Sequence, residues 1–260
     1  MAFTRNGPVK LHWRADGMGR PLLLLNSVGC DLSLWDGVMP YLADFRVLRM
    51  DMRGHGGSDA PEGGYTLDDL ANDALVVLEA AGVDKVAICG LSLGGMTAMS
   101  LALCAPRRIS ALVLACTSAA MDPESWNARA ATVRRQGMGE IAETVMVRFF
   151  SEKFRHDRPD VVEDIRARFL RIDPSGYAGC CAAIRDMMLL DRIATIAAPT
   201  LVIAGDHDVA TPFHGHGDKI QARIAGVQAA LMPCGHLAPV ELPAPFAVQL
   251  KTFLSGERHG

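Results

Sequence analysis

The sequence predicts an α/β fold: a mostly parallel central sheet flanked by helices, with a helical cap inserted late in the chain. Three observations carry this reading. Short apolar runs alternate with helical patterns along the chain, the order that builds a parallel sheet. Several of those runs are apolar at consecutive positions, as strands are when helices cover both faces. Between about Ala119 and Ala197 the pattern turns wholly helical, too long a stretch for one crossover between strands.

The elements follow in order. PLLLLNS (21–27) and FRVLRMD (45–51) read as strands. Leu70, Ala74, Val77, Leu78 and Ala81 then fall on one helical face, and Gly82 closes that helix. VAICGLS (86–92) is the next strand. After Ser92, LGGMTAMSLALCA is apolar nearly all round and stops at Pro106, which predicts a buried helix over 93–105. ISALVLA (109–115) is a further strand. In the inserted stretch Val161, Val162, Ile165, Phe169 and Leu170 carry amphipathic spacing, and eleven arginines plus Lys153 balance twelve acids over 119–198. APTLVIAGD (198–206) and GVQAALMP (226–233) complete the strands. The chain is thus read as one domain, a core of 1–118 and 199–260 carrying a cap of 119–198.

Composition excludes several classes. With 260 residues, 50% hydrophobic and 21% charged, the chain can bury an ordinary globular core. A net charge of −3 without a basic run gives no footprint for nucleic acid. The longest aliphatic run, Leu22 to Leu25, is far too short to span a bilayer, and MAFTRNGPVKLHWR has no apolar leader core. Seven cysteines without regular spacing point to reduced thiols and a cytoplasmic protein. No repeat and no low-complexity tract is present.

The chemistry gathers around CGLSLGGM (89–96), where Ser92 stands between Gly90 and Gly94 at a strand-to-helix junction. A sharp turn there crowds neighbouring segments, and residues without side chains two before and two after relieve the crowding. The turn lifts the hydroxyl to the carboxyl end of the sheet and aims the Leu93 N–H where negative charge could be stabilised. A serine hydroxyl needs a base, and the base needs an orienting acid. GDHD after one strand offers Asp206 and Asp208; CGH after the next offers His236. Each could instead be an ordinary loop residue, Asp206 or Asp208 capping a turn. The order Ser, Asp, His at successive strand ends favours the catalytic reading.

On these residues the chain resembles the α/β-hydrolase superfamily along nearly its whole length. DMRGHGGSDAP (51–61) matches its D-x-R-G-x-G-x-S loop, and GHLAPVELP (235–243) its histidine loop. GDHDVATP (205–212) matches its acid turn, and this favours Asp208 over Asp206. The resemblance implies a Ser92–Asp208–His236 triad and an oxyanion hole made by the backbone N–H groups of Val28 and Leu93. Arg53, His55 and the nearby glycines then shape a loop beneath the site, with no chemistry of their own. More narrowly, NSVGCDLSLWD (26–36) and GYAGCCAAIRDMMLLDRI (176–193) are similar to the first loop and cap segment of the 3-oxoadipate enol-lactone hydrolases. Val28, Cys30 and the residues after His236 depart from that pattern.

The expected protein is therefore a cofactor-free serine hydrolase opening a small carboxylated enol-lactone in aromatic-compound catabolism. Rivals are a carboxylesterase, an acyl-homoserine lactonase or a C–C hydrolase with the same machinery, or a non-catalytic receptor of this fold. Arg185 either meets the substrate carboxylate or pairs with Asp186, Asp191 or another acid. Trp126 walls the pocket or belongs to the cap core. His207, His214 and His216 lack metal-ligand spacing, so no metal is expected. The partner is a small molecule; oligomeric state is not legible.

Overall fold

The computed structural model describes residues 2–256. Met1 and 257–260, included in the core above, lie outside the described residues. Eight strands form one sheet in the order β1-β2-β4-β3-β5-β6-β7-β8. They are β1 (Ala2–Asn6), β2 (Val9–Asp16), β3 (Arg20–Leu25), β4 (Phe45–Met50), β5 (Val86–Leu91), β6 (Ile109–Ala115), β7 (Thr200–Gly205) and β8 (Gln228–Met232). From β4 and β3 onward all neighbours run parallel; β1–β2 and β2–β4 are antiparallel.

The six strands from β3 onward stand where the apolar runs are. β5 and β7 are buried at every residue, because helices cover both faces of the sheet centre. Helix α1 (Leu67–Ala80) opens on a reciprocal Thr66–Asp69 capping box, and α2 (Leu93–Cys104) is buried over its first ten residues.

The N-terminal hairpin is not foreseen by the sequence reading. Its β2 alternates, burying Val9, Leu11 and Trp13 while Lys10, His12 and Arg14 are only partly covered. That period of two, after a Gly7-Pro8 turn with Gly7 at φ 57°, is the signal of a half-buried edge hairpin; a search for continuous apolar runs passes over it.

Between β6 and β7 the chain is helical: α3 (Pro123–Gln136), α4 (Gly139–Phe149), α5 (Glu152–Asp157), α6 (Pro159–Phe169) and α7 (Pro174–Arg185). Helix α3 packs along α7. Asp122 and Asp173, each followed by proline at the first helical position, cap α3 and α7 with their carboxylates. The chain ends through α8 (Asp218–Arg223), α9 (Ala238–Glu241) and α10 (Pro243–Gly256), the last burying Phe246, Leu250 and Phe253. Among the described residues no helix is long and apolar enough to cross a membrane.

Candidate active site

Ser92 sits between β5 and α2 with φ 55° and ψ −115°, a conformation that non-glycine residues avoid. Its backbone is held from both sides: its N–H donates to the Ala115 carbonyl (2.9 Å), and its carbonyl accepts the Thr117 hydroxyl (2.6 Å). The glycines are explained by proximity. A Cβ at Gly90 would lie 2.2 Å from the Gly94 carbonyl oxygen, and one at Gly94 would lie 2.1 Å from that of Leu25. Neither position has room for a side chain.

Asp208 follows β7 and His236 follows β8, and the two meet: His236 Nδ1 stands 2.8 Å from Asp208 Oδ2. The other carboxylate oxygen accepts the Ala210 and Thr211 N–H groups (2.7 and 3.0 Å), while the Thr211 hydroxyl donates to Oδ2 (2.9 Å). Asp206 is exposed. Phe149, at the end of α4, stacks on the His236 ring at 6.1 Å and 13°. Ser92 and His236 line the same chamber of about 20 Å³, without a hydrogen bond between them. Such a contact commonly tightens only when substrate is bound.

Burial alone would raise the Asp208 pKa. The His236 charge, its hydrogen bond and the two amide N–H groups outweigh burial and hold the carboxyl at about 2, against 3.8 ordinarily. The unfolded chain therefore binds this proton more tightly. The resulting stability is fully present above about pH 4 and lost as pH falls through about 2. The urea midpoint of Asp208→Asn should accordingly fall less than that of wild type across this window; equal falls would mean that Asp208 contributes nothing there.

Val28 and Leu93 present the two N–H groups expected to face an oxyanion. Ser27 to Cys30 make a turn closed by the Cys30 N–H on the Ser27 carbonyl (3.2 Å), with Gly29 at φ 86°. A side chain at Gly29 would be strained and would meet the Phe169 ring at 2.9 Å. Among the described residues neither the Val28 N–H nor the Leu93 N–H, the first of α2, has an acceptor. Val28 also lines the chamber.

Trp126 is buried on the chamber wall and also lines an adjoining cleft of about 560 Å³. Arg185 needs correction. Its guanidinium forks onto Asp186 (2.7 and 2.6 Å) and reaches Asn127 (3.1 Å), and it lines neither space. At the end of α7 the adjacent carboxylate is its nearest partner, so the ion-pair alternative is the one realised.

The arginines at the site are instead Arg129 and Arg148, which line both chamber and cleft. Arg129 lies over the Trp126 ring at 4.7 Å, one helical turn along α3. Burial first, and Arg129 second, lower the Arg148 pKa. Among the described residues neither arginine forms an ion pair with a carboxylate. In sequence they vanish into a balanced run of charges; the Trp126–Arg129 spacing is the one signal that could have drawn attention to them. Of the three histidines, His214 pairs with Asp218 (3.0 Å) and His216 contacts Ser118 (2.8 Å). No metal-binding cluster is found among the described residues.

A family model described as alpha/beta hydrolase fold matches residues 20–241. A 3-oxoadipate enol-lactonase of Acinetobacter baylyi is 34% identical over 87% of this chain and 86% of its own. The crystal structure of the enol-lactonase from Burkholderia xenovorans superposes with a TM-score of 0.95 at 35% identity, over 98% of this chain and all (100%) of that one. A hydrolase from Pseudomonas aeruginosa superposes with a TM-score of 0.93 at 41% identity, over 97% of both chains.

Proposed function

The chain belongs to the alpha/beta-hydrolase fold family, and from that premise we propose that it opens a small carboxylated enol-lactone of the 3-oxoadipate type. The observation that carries this reading is the pair of arginines that, among the described residues, have no carboxylate partner and line the chamber of Ser92. Burial first, and the Arg129 charge second, lower the Arg148 pKa, and two guanidinium groups lining one half-buried cleft favour an anion between or beside them. The 20 Å³ chamber fits the reacting carbonyl, and the cleft beyond fits the rest of a small acid. The similar enol-lactonases support the same substrate class.

In the proposed reaction His236, oriented by Asp208, takes the Ser92 proton as the hydroxyl oxygen attacks the lactone carbonyl. The Val28 and Leu93 N–H groups hold the resulting oxyanion. Collapse breaks the bond to the ring oxygen, which leaves as an enol carrying the proton from His236. That enol stays at the far end of the acyl chain and tautomerises to the ketone. Water, deprotonated by His236, then attacks the acyl-serine, and the proton returns to Ser92 as the keto acid departs. No cofactor takes part. The free cysteines support a reducing, cytoplasmic setting and a place in aromatic-compound catabolism is implied by the product.

The test is a comparison of the carboxylated enol-lactone with a neutral lactone of similar size. A charge-assisted hydrogen bond is worth about 1.5–3 kcal/mol, so Arg148→Leu should lose roughly 10- to 150-fold in kcat/KM on the charged substrate. The neutral lactone should lose much less, and Arg185→Leu should leave the ratio of the two unchanged. Equal losses on both substrates for Arg148→Leu would place the carboxylate elsewhere.

A further inference from the structure

We infer that His55 is a positioning residue for the oxyanion hole, a neutral imidazole whose Nε2 holds the Gly29 N–H and thereby sets the turn that presents the Val28 N–H. The inference rests on the serine-hydrolase reading and adds a residue to it.

The turn from Ser27 to Cys30 offers two consecutive N–H groups, and they are treated differently. That of Gly29 donates to His55 Nε2 at 3.0 Å, in a buried setting. That of Val28 is left for a ligand. Because Nε2 accepts, the ring proton must sit on Nδ1, where it donates to the Arg53 carbonyl at 3.3 Å. Only the neutral ring with that tautomer satisfies both contacts, and an imidazolium would set two N–H groups against each other. The groups facing the ring are Asp51 and Arg53 from its own loop, Asp31 from the first loop, and Cys180 and Tyr177 from α7. Burial outweighs the two carboxylates and lowers the His55 pKa, which favours the neutral form.

The surroundings are built to keep this contact in place. Asp51 ties the same two loops again, accepting the Leu32 N–H at 2.7 Å and the Gly57 N–H at 2.8 Å, but it does not touch the turn. Helix α7 sits directly on the loop that carries His55. A Cβ at Gly54 would lie 2.5 Å from the Gly176 Cα, and Cys180 Sγ stands 3.7 Å from the Arg53 carbonyl. The seating of the inserted helices is therefore relayed through His55 to an oxyanion donor.

Two polar variants test this. His55→Gln can set its carbonyl oxygen near the place of Nε2, while the shorter His55→Asn reaches only the Nδ1 position. Loss of an oxyanion donor costs ~10²–10³ in rate, so a misplaced one in His55→Asn should lower kcat on p-nitrophenyl acetate by about 10- to 100-fold. KM should change little, and His55→Gln should restore most of the kcat. Affinity for a boronic acid that forms a tetrahedral adduct on Ser92 should fall with kcat across the series. Equal kcat in both variants, or kcat and boronate affinity moving independently, would overturn the inference. So would an unchanged kcat in His55→Asn when Ser92→Ala is inactive, and that outcome leaves the hydrolase reading standing. Retained turnover in Ser92→Ala would instead bring down the hydrolase reading and this inference with it.

Discussion

Ser92→Ala should lose ~10³–10⁶-fold in kcat on every ester and lactone the protein turns over, with His236→Ala close behind, because such a triad acts as a unit. The fold should be untouched. Among the described residues the Ser92 hydroxyl makes no hydrogen bond, so its removal leaves none of their polar groups unpaired. The strained backbone is held by the Ala115 carbonyl and the Thr117 hydroxyl, neither of which needs the side chain. Alanine also tolerates the close approach of the neighbouring glycines as serine does. Circular dichroism and Tm should therefore match wild type while the burst of p-nitrophenol and the covalent labelling of residue 92 both vanish. Wild-type-like turnover from this variant would end the serine-hydrolase reading, since it would show that the reaction needs no nucleophile at position 92.

How much of this could be read in the chain varies with the physics of each part. The strands from β3 to β7 announce themselves because central strands covered on both faces need unbroken apolar runs, whereas β8 lies at the sheet edge and is largely exposed. Ser92 is legible because its turn excludes side chains at Gly90 and Gly94, a steric demand that leaves a mark in the sequence. Choosing Asp208 over Asp206 needed family resemblance, because both fall just past the carboxyl end of the same strand. Their difference is burial and hydrogen bonding, which only the folded turn supplies. Arg185 and Arg148 show where local reading ends. Both are cap arginines in a balanced stretch, and what separates them is that Asp186 pairs with one while the other forms no ion pair with a carboxylate among the described residues. The partner of a long charged side chain is a tertiary fact.

Asp208→Asn should lose on the order of 10⁴ in kcat, as the same exchange does in serine proteases with a buried aspartate behind the histidine. The local geometry explains why so small a change should cost so much. The amide oxygen of asparagine can keep the Ala210 and Thr211 N–H bonds that Oδ1 accepts now, so the turn should survive. Its NH₂ then takes the place of Oδ2, facing His236 Nδ1 and the Thr211 hydroxyl. Two donors cannot share that contact, so His236 would shift its proton to Nε2 and present Nδ1 as acceptor. The nitrogen nearest Ser92 would then carry a proton and be unable to take another. Asp206→Asn is the control, since that side chain is exposed and makes no hydrogen bond to the site. It should change kcat by less than about 2-fold, within the range of ordinary surface substitutions. Should Asp206→Asn prove the more damaging of the two, the orienting acid would have to be reassigned by two residues, and the 2.8 Å contact to His236 would be structural only.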